Sequence, residues 1–96
     1  MVQRTVVVGS ATGLHARPAA LFVRAAAALP VPVRAIVEGK RPANAASMLA
    51  VLALGAKQGT EVTLEADDHP DGLARAAVDE LAELLARDLD AQPAEA

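Results

Sequence analysis

Val6-Val7-Val8-Gly9-Ser10-Ala11-Thr12-Gly13-Leu14-His15-Ala16-Arg17-Pro18-Ala19-Ala20-Leu21-Phe22-Val23 holds the change of period that decides the architecture. Upstream of Gly9, the segment Val2 to Val8 is rich in β-branched residues and puts Val2, Val6 and Val8 on one face, which predicts a strand. Gly9 to His15 are small, turn-forming residues and read as a loop. From Ala16 to about Leu29 the period becomes helical. Ala19, Phe22, Val23 and Ala26 recur at core-facing spacing, and Pro18 is tolerated because it falls in the first turn. Arg17, Ala20, Leu21 and Arg24 fall on the opposite, exposed face.

Downstream, Pro30 and Pro32 stop the helix, and Val31 to Glu38 predicts a second strand that turns at Gly39-Lys40 into a short third strand, Arg41 to Ala43. Pro42 cannot donate to a ladder, so that third strand belongs at a sheet edge. Ser47 is placed to N-cap a short helix, Met48 to Leu54, closed by Gly55 in the left-handed conformation. Thr60 to Ala66 predicts a last strand, with Val62 and Leu64 on one face and Thr63 on the other. Asp67, Asp68 and Pro70 then open the longest helix, whose stripe is Leu73, Ala77, Leu81 and Leu84, with Leu85 beside it. The order β-α-β-β-α-β-α predicts an α+β fold, a layer of helices on one face of a small, mainly antiparallel sheet. Residues 1–89 form a single domain on this reading, and 90–96, with Pro93, a flexible C-terminal tail.

The composition excludes several classes of function. With no Cys, disulfide frameworks, thiolate zinc sites and cysteine nucleophiles drop out together, and nothing calls for an oxidising compartment; a cytoplasmic location is expected. A net charge of -3 without a basic cluster argues against nucleic acid or an anionic membrane as partner. The longest uncharged apolar stretch, Ala45 to Ala56, is short of the ~20 residues that cross a bilayer, so no membrane insertion is expected. The first residues lack a charged region followed by an apolar one and do not read as a signal peptide. Alanine supplies 24 residues, and Arg outnumbers Lys seven to two; codon bias accounts for both.

With thiols absent, the usable nucleophiles are hydroxyls, carboxylates, Lys and the two histidines. His69 sits among Asp67, Asp68 and Asp71 at a helix start, reads as an exposed cap residue and receives no role. His15 stands at the mouth of the first helix, where the first-turn N–H groups have no helical partner and attract anions. Arg17 can add a charge-assisted hydrogen bond to a phosphate there. A plain N-cap is the other reading of His15, and residue chemistry alone leaves both open.

Three blocks carry a family resemblance: Gly13-Leu14-His15-Ala16-Arg17-Pro18-Ala19-Ala20, Asn44-Ala45-Ala46-Ser47-Met48-Leu49 and Leu54-Gly55-Ala56-Lys57-Gln58-Gly59. In these blocks and their spacing, over residues 1–89, the chain resembles HPr, the histidine-containing phosphocarrier family of the bacterial phosphoenolpyruvate:sugar phosphotransferase system. The resemblance implies an open-faced β-sandwich, a four-stranded antiparallel sheet covered on one face by three helices. It also implies that His15 accepts a phosphoryl group at Nδ1 from phosphorylated enzyme I, itself charged by phosphoenolpyruvate. His15 then hands the group to enzyme IIA of a sugar permease. The protein is then a carrier rather than an enzyme and needs no cofactor or metal. Arg17 acts as a movable electrostatic clamp, while Ala16 and Pro18 form the helix start that supports the phosphate.

The short helix is apolar all round, so Met48, Leu49 and Leu52 are candidates for exposure as a docking patch. In the family, partners sit over the first two helices, which puts Ala20, Leu21, Arg24, Met48, Leu49 and Leu52 on that surface here. Ser47 aligns with the serine that an ATP-dependent kinase phosphorylates in many Gram-positive members, although Ala45-Ala46 precede it where regulated members carry a longer or basic residue. A phosphate there adds about -1.5 to -2 charges beside the patch and weakens enzyme I binding. The family favours a monomer. A second reading, a regulatory HPr-like module acting as serine-phosphorylated coeffector or nitrogen-branch paralogue, is separated from sugar transport by acid-stable label at Ser47. A generic metabolite-binding domain ranks below both, since no Gly-rich nucleotide loop is present.

Overall fold

Alternation in the first strand survives folding: Val8 is buried and Val2 and Val6 pack partly against the core, while Val7 points out. The computed structural model describes residues 1–69 and 71–87. Its elements run β1 (Val2–Val7), α1 (Ala16–Ala27), β2 (Arg34–Ile36), β3 (Ala43–Asn44), α2 (Met48–Ala53), β4 (Glu61–Ala66) and α3 (Leu73–Ala86). The four strands form one antiparallel sheet in the order β1-β4-β2-β3, with the helices packed on one face, so the fold is the expected α+β open-faced sandwich. The expected tail, 90–96, lies outside the described residues.

Register sorts the two faces of the sheet. Val62, Leu64 and Ala66 of β4 are fully buried under the helices with Ala35 of β2. Residues between them face outward, where Gln3 opposes Glu65, Thr5 opposes Thr63, and Arg34 lies on the other side of Glu65. That outer row is a polar ladder. Gln3 Nε2 donates to Glu65 Oε2 at 2.6 Å, Arg34 Nε to Glu65 Oε1 at 2.9 Å, and the Thr5 and Thr63 hydroxyls meet at 2.9 Å. Hydrogen bonds first from Gln3, then from Arg34, hold the Glu65 carboxyl below its ordinary value, and Glu65 in turn raises that of Arg34. Under the sheet, Phe22 of α1, Val51 of α2 and Val78, Leu81 and Leu85 of α3 are fully buried.

Several boundaries differ from the sequence reading. β2 pairs only over Arg34–Ile36 rather than from Val31, because Pro30 and Pro32 have no N–H to donate. Val31 and Val33 are nevertheless buried, and Val33 still accepts from Ala45 N–H at 2.9 Å. β3 is Ala43–Asn44, one step past Pro42 rather than through it, and stands at the sheet edge as expected. α1 ends at Ala27 and α2 at Ala53, with Leu54 as cap and Gly55 following at φ +60°. α3 begins at Leu73 rather than at Asp67: a turn closed by Gly72 N–H to the His69 carbonyl precedes it, and Gly72 is its N-cap. In its stripe, Leu85 is buried while Leu84 is only half-buried, and Ala74, Val78 and Ala82 complete the face.

Candidate functional site

The loop between β1 and α1 is held at three points. Gly9 N–H donates to the Leu85 carbonyl near the end of α3 at 3.1 Å, and Gln58 Nε2 donates to the Gly9 carbonyl at 3.3 Å. Gly13 N–H closes a turn on Ser10 at 2.9 Å. Leu14, itself buried, donates to the Ala56 carbonyl at 2.8 Å. The backbone of Ala56 and Lys57 approaches Gly13 so closely that a Cβ would lie 2.5 Å from the Ala56 oxygen. The chain therefore enters α1 from a fixed direction.

His15 is the N-cap of α1, in extended backbone, and its carbonyl accepts the first helical bond from Ala19 N–H at 2.8 Å. Its imidazole makes no capping hydrogen bond, and the residue is exposed, so the ring is not consumed by the cap role. The first turn offers backbone N–H groups at Ala16 and Arg17 and none at Pro18, and it contains no acidic residue that would compete with an anion. Pro18 is buried against the core, while Ala16 and Arg17 are exposed beside His15. The arrangement places a ring nitrogen, helix N–H donors and a guanidinium-bearing residue at one helix mouth.

α2 packs against α1 and carries the apolar crest: Leu49 is 82% exposed and Leu52 38%, whereas Met48 is half-buried. Leu52 and His15 line one open depression of about 320 Å³, with Leu14, Ala16, Gly55, Ala56 and Lys57 as its other walls. Arg24 is exposed as expected, but Ala20 and Leu21 are half-buried on a helix that packs against both α2 and α3. Ser47 is the N-cap of α2, its hydroxyl oxygen accepting from Ala50 N–H at 3.3 Å. His69 lies in the exposed turn before α3.

Two features escaped the sequence reading. Gln58 and Lys57 lie more than forty positions from Gly9 and His15, and only the fold brings them to the loop. The other was legible as a count. Between Val2 and Thr60 the chain has one carboxylate, Glu38, against seven cations, and from Glu61 onward eleven carboxylates against two. The modest net charge conceals a segregation that leaves α1 and α2 without any acidic side chain.

The family described as "PTS HPr component phosphorylation site" matches residues 2–87. The "Phosphocarrier protein HPr" of Streptomyces coelicolor is 53% identical over 93 residues, covering 97% of each chain. The "HPr-like protein Crh" of Bacillus subtilis is 42% identical over 79 residues, covering 80% of this chain and 92% of its own. The crystal structure of a phosphocarrier protein HPr from Bacillus anthracis superposes with a TM-score of 0.78 at 32% identity, over 88% of this chain and 95% of that one. A family match over nearly the whole described length, relatives of this identity and the same fold leave one assignment: the chain belongs to the HPr family of phosphocarriers of the phosphotransferase system.

Proposed function

We propose that this chain carries phosphoryl groups on His15, taking them from phosphorylated enzyme I and passing them to enzyme IIA of sugar permeases. The observation that carries the reading is the exposed imidazole at the N-terminus of α1, uncommitted to capping, in a chain of this family. In the accepting step the Nδ1 lone pair of His15 attacks phosphorus. The bond from phosphorus to the donor's leaving atom breaks, and that atom keeps the electron pair. Delivery to enzyme IIA repeats the displacement with His15 as the leaving group. The chain is regenerated and turns over no substrate of its own.

The N–H groups of Ala16 and Arg17 and the Arg17 side chain stabilise the transferring phosphoryl oxygens, while Pro18 sets the helix start. Loose holding suits a carrier, because tight ground-state binding would raise the barrier to departure. Partners dock on Ala20, Leu21, Arg24, Met48, Leu49 and Leu52; Leu49 and Leu52 are the two most exposed of the apolar residues, and Leu52 lines the His15 depression. The carrier works as a cytoplasmic monomer.

The test is incubation with enzyme I, phosphoenolpyruvate and magnesium. An acid-labile, alkali-stable phosphoprotein is expected, and none from His15→Ala. Unchanged labelling of His15→Ala refutes the assignment. The 42% identity to an HPr-like protein keeps a regulatory reading in view. In that case a serine kinase modifies Ser47, which stands at a helix start beside Leu49, and the label is acid-stable.

A further inference from the structure

The turn that follows α2 brings a cation to the His15 depression. Lys57 lines the same open space as His15, although the two come from distant parts of the chain. Backbone contacts set its position. Leu14 N–H donates to the Ala56 carbonyl at 2.8 Å and Gly59 N–H to the Val8 carbonyl at 3.0 Å. Thr60 closes the turn between them twice, its N–H donating to the Lys57 carbonyl at 3.0 Å and its Oγ1 accepting from Lys57 N–H at 3.0 Å. Gly13 completes the fit, since a Cβ there would lie 2.8 Å from the Lys57 Cα. The Cα of Lys57 is thereby fixed, and only its side-chain torsions are free.

Lys57 is exposed, and its ammonium makes no ion pair among the described residues. No carboxylate lines the depression, and the first turns of α1 and α2 contain none. A phosphoryl group on His15 would therefore bring the one anion to these walls. A flexible four-carbon stem lets the ammonium follow the phosphoryl oxygens as a point charge with three donors, unlike the planar fork of an arginine.

We propose that Lys57 supplies a second cation, beside Arg17, to the phosphoryl group on His15 and stabilises the phosphorylated carrier between its two transfers. This rests on the reading of His15 as the phosphorylated residue. The two cations reach the group from separate elements, Arg17 from the first turn of α1 and Lys57 from the turn after α2. An exposed pair of this kind is weak enough to break on delivery, which suits a carrier.

The experiment measures equilibrium exchange of the phosphoryl group between enzyme I and the full chain, read by intact mass as the ratio of phosphorylated to free carrier. Parent, Lys57→Gln, Lys57→Arg and Lys40→Gln are compared. Lys40, the other lysine, is exposed between β2 and β3 and does not line the depression, so its variant loses the same charge elsewhere. At low ionic strength Lys57→Gln should lower the ratio about threefold, and added salt should shrink the gap. Lys57→Arg and Lys40→Gln should stay within about 1.5-fold of the parent. A Lys57→Gln ratio within about 1.5-fold of the parent, or an equal loss in Lys40→Gln, overturns the proposal. The His15→Ala control separates the two claims. Label on that variant strikes the phosphocarrier reading, whereas His15-dependent labelling with an unmoved ratio in Lys57→Gln strikes only the role of Lys57.

Discussion

Substituting Gly13 by alanine isolates the contact that aims His15. Gly13 has φ +74°, and a Cβ there would lie 2.5 Å from the Ala56 carbonyl oxygen and 2.8 Å from the Lys57 Cα. Gly39 is its control, with φ +83° and nothing within 4 Å of a Cβ. Both alanines suffer the left-handed backbone penalty of about 1–2 kcal/mol. Both recover the same small gain from a stiffer unfolded chain, so that term cancels between them. Gly13→Ala additionally collides with backbone, which cannot rotate aside as a flexible side chain would, at a further cost of about 1–3 kcal/mol. The expected losses are thus about 2–5 kcal/mol at Gly13 and about 1–2 kcal/mol at Gly39. Relief at Gly13 requires the Ala56 carbonyl to retreat, which lengthens the 2.8 Å bond from Leu14 and moves the residue before His15. Urea unfolding of both variants, with slopes compared to the parent, measures the difference. Phosphoryl uptake should also slow in Gly13→Ala and not in Gly39→Ala. Equal destabilisation of the two, or a Gly13 variant with parental uptake, refutes the reasoning.

Three further outcomes follow from other parts of the fold. Phe22→Ala removes the only aromatic side chain, fully buried under the sheet, and should cost about 3–5 kcal/mol by urea unfolding; a loss below about 1 kcal/mol would contradict that packing. Ser47→Ala deletes the acceptor for Ala50 N–H and should lower stability by about 1 kcal/mol, whereas Ser47→Asp keeps an acceptor and should lose less. The Glu65 carboxyl is held below its ordinary 4.5 by Gln3 and then Arg34, so the folded chain binds fewer protons there than the unfolded chain. Its contribution is therefore complete above 4.5 and lost as pH falls through the depressed folded value. Glu65→Gln should flatten that acid limb of stability against pH, and an unchanged slope would exclude this ladder as its source.

What could be read in advance was local. The alternation of Val2, Val6 and Val8, the Phe22 stripe, the Ser47 cap and the exposed His15 at a helix mouth depend on neighbours a few positions away. Those expectations match the fold in kind. The residues that set boundaries answer to distant partners. β3 forms beyond Pro42 because Ala43 and Asn44 are the positions that pair with Ala35 and Arg34. α3 starts late because the chain first turns from His69 to Gly72, and acidic residues before that turn look the same in sequence as acidic residues in a first helical turn. The clamp on the loop joins Gln58 to Gly9 and Ala56 to Leu14, contacts that exist only once β1 lies beside β4. The exposed crest of α2 was legible as an apolar excess, but its position beside the His15 depression was not.

Phosphoryl transfer to a single imidazole is read by intact mass spectrometry after incubation with enzyme I, phosphoenolpyruvate and magnesium. One phosphoryl group per chain is expected, lost in acid and retained in alkali, with none on His15→Ala. Phosphate retained by His15→Ala, or an acid-stable adduct on the parent under these conditions, would contradict it.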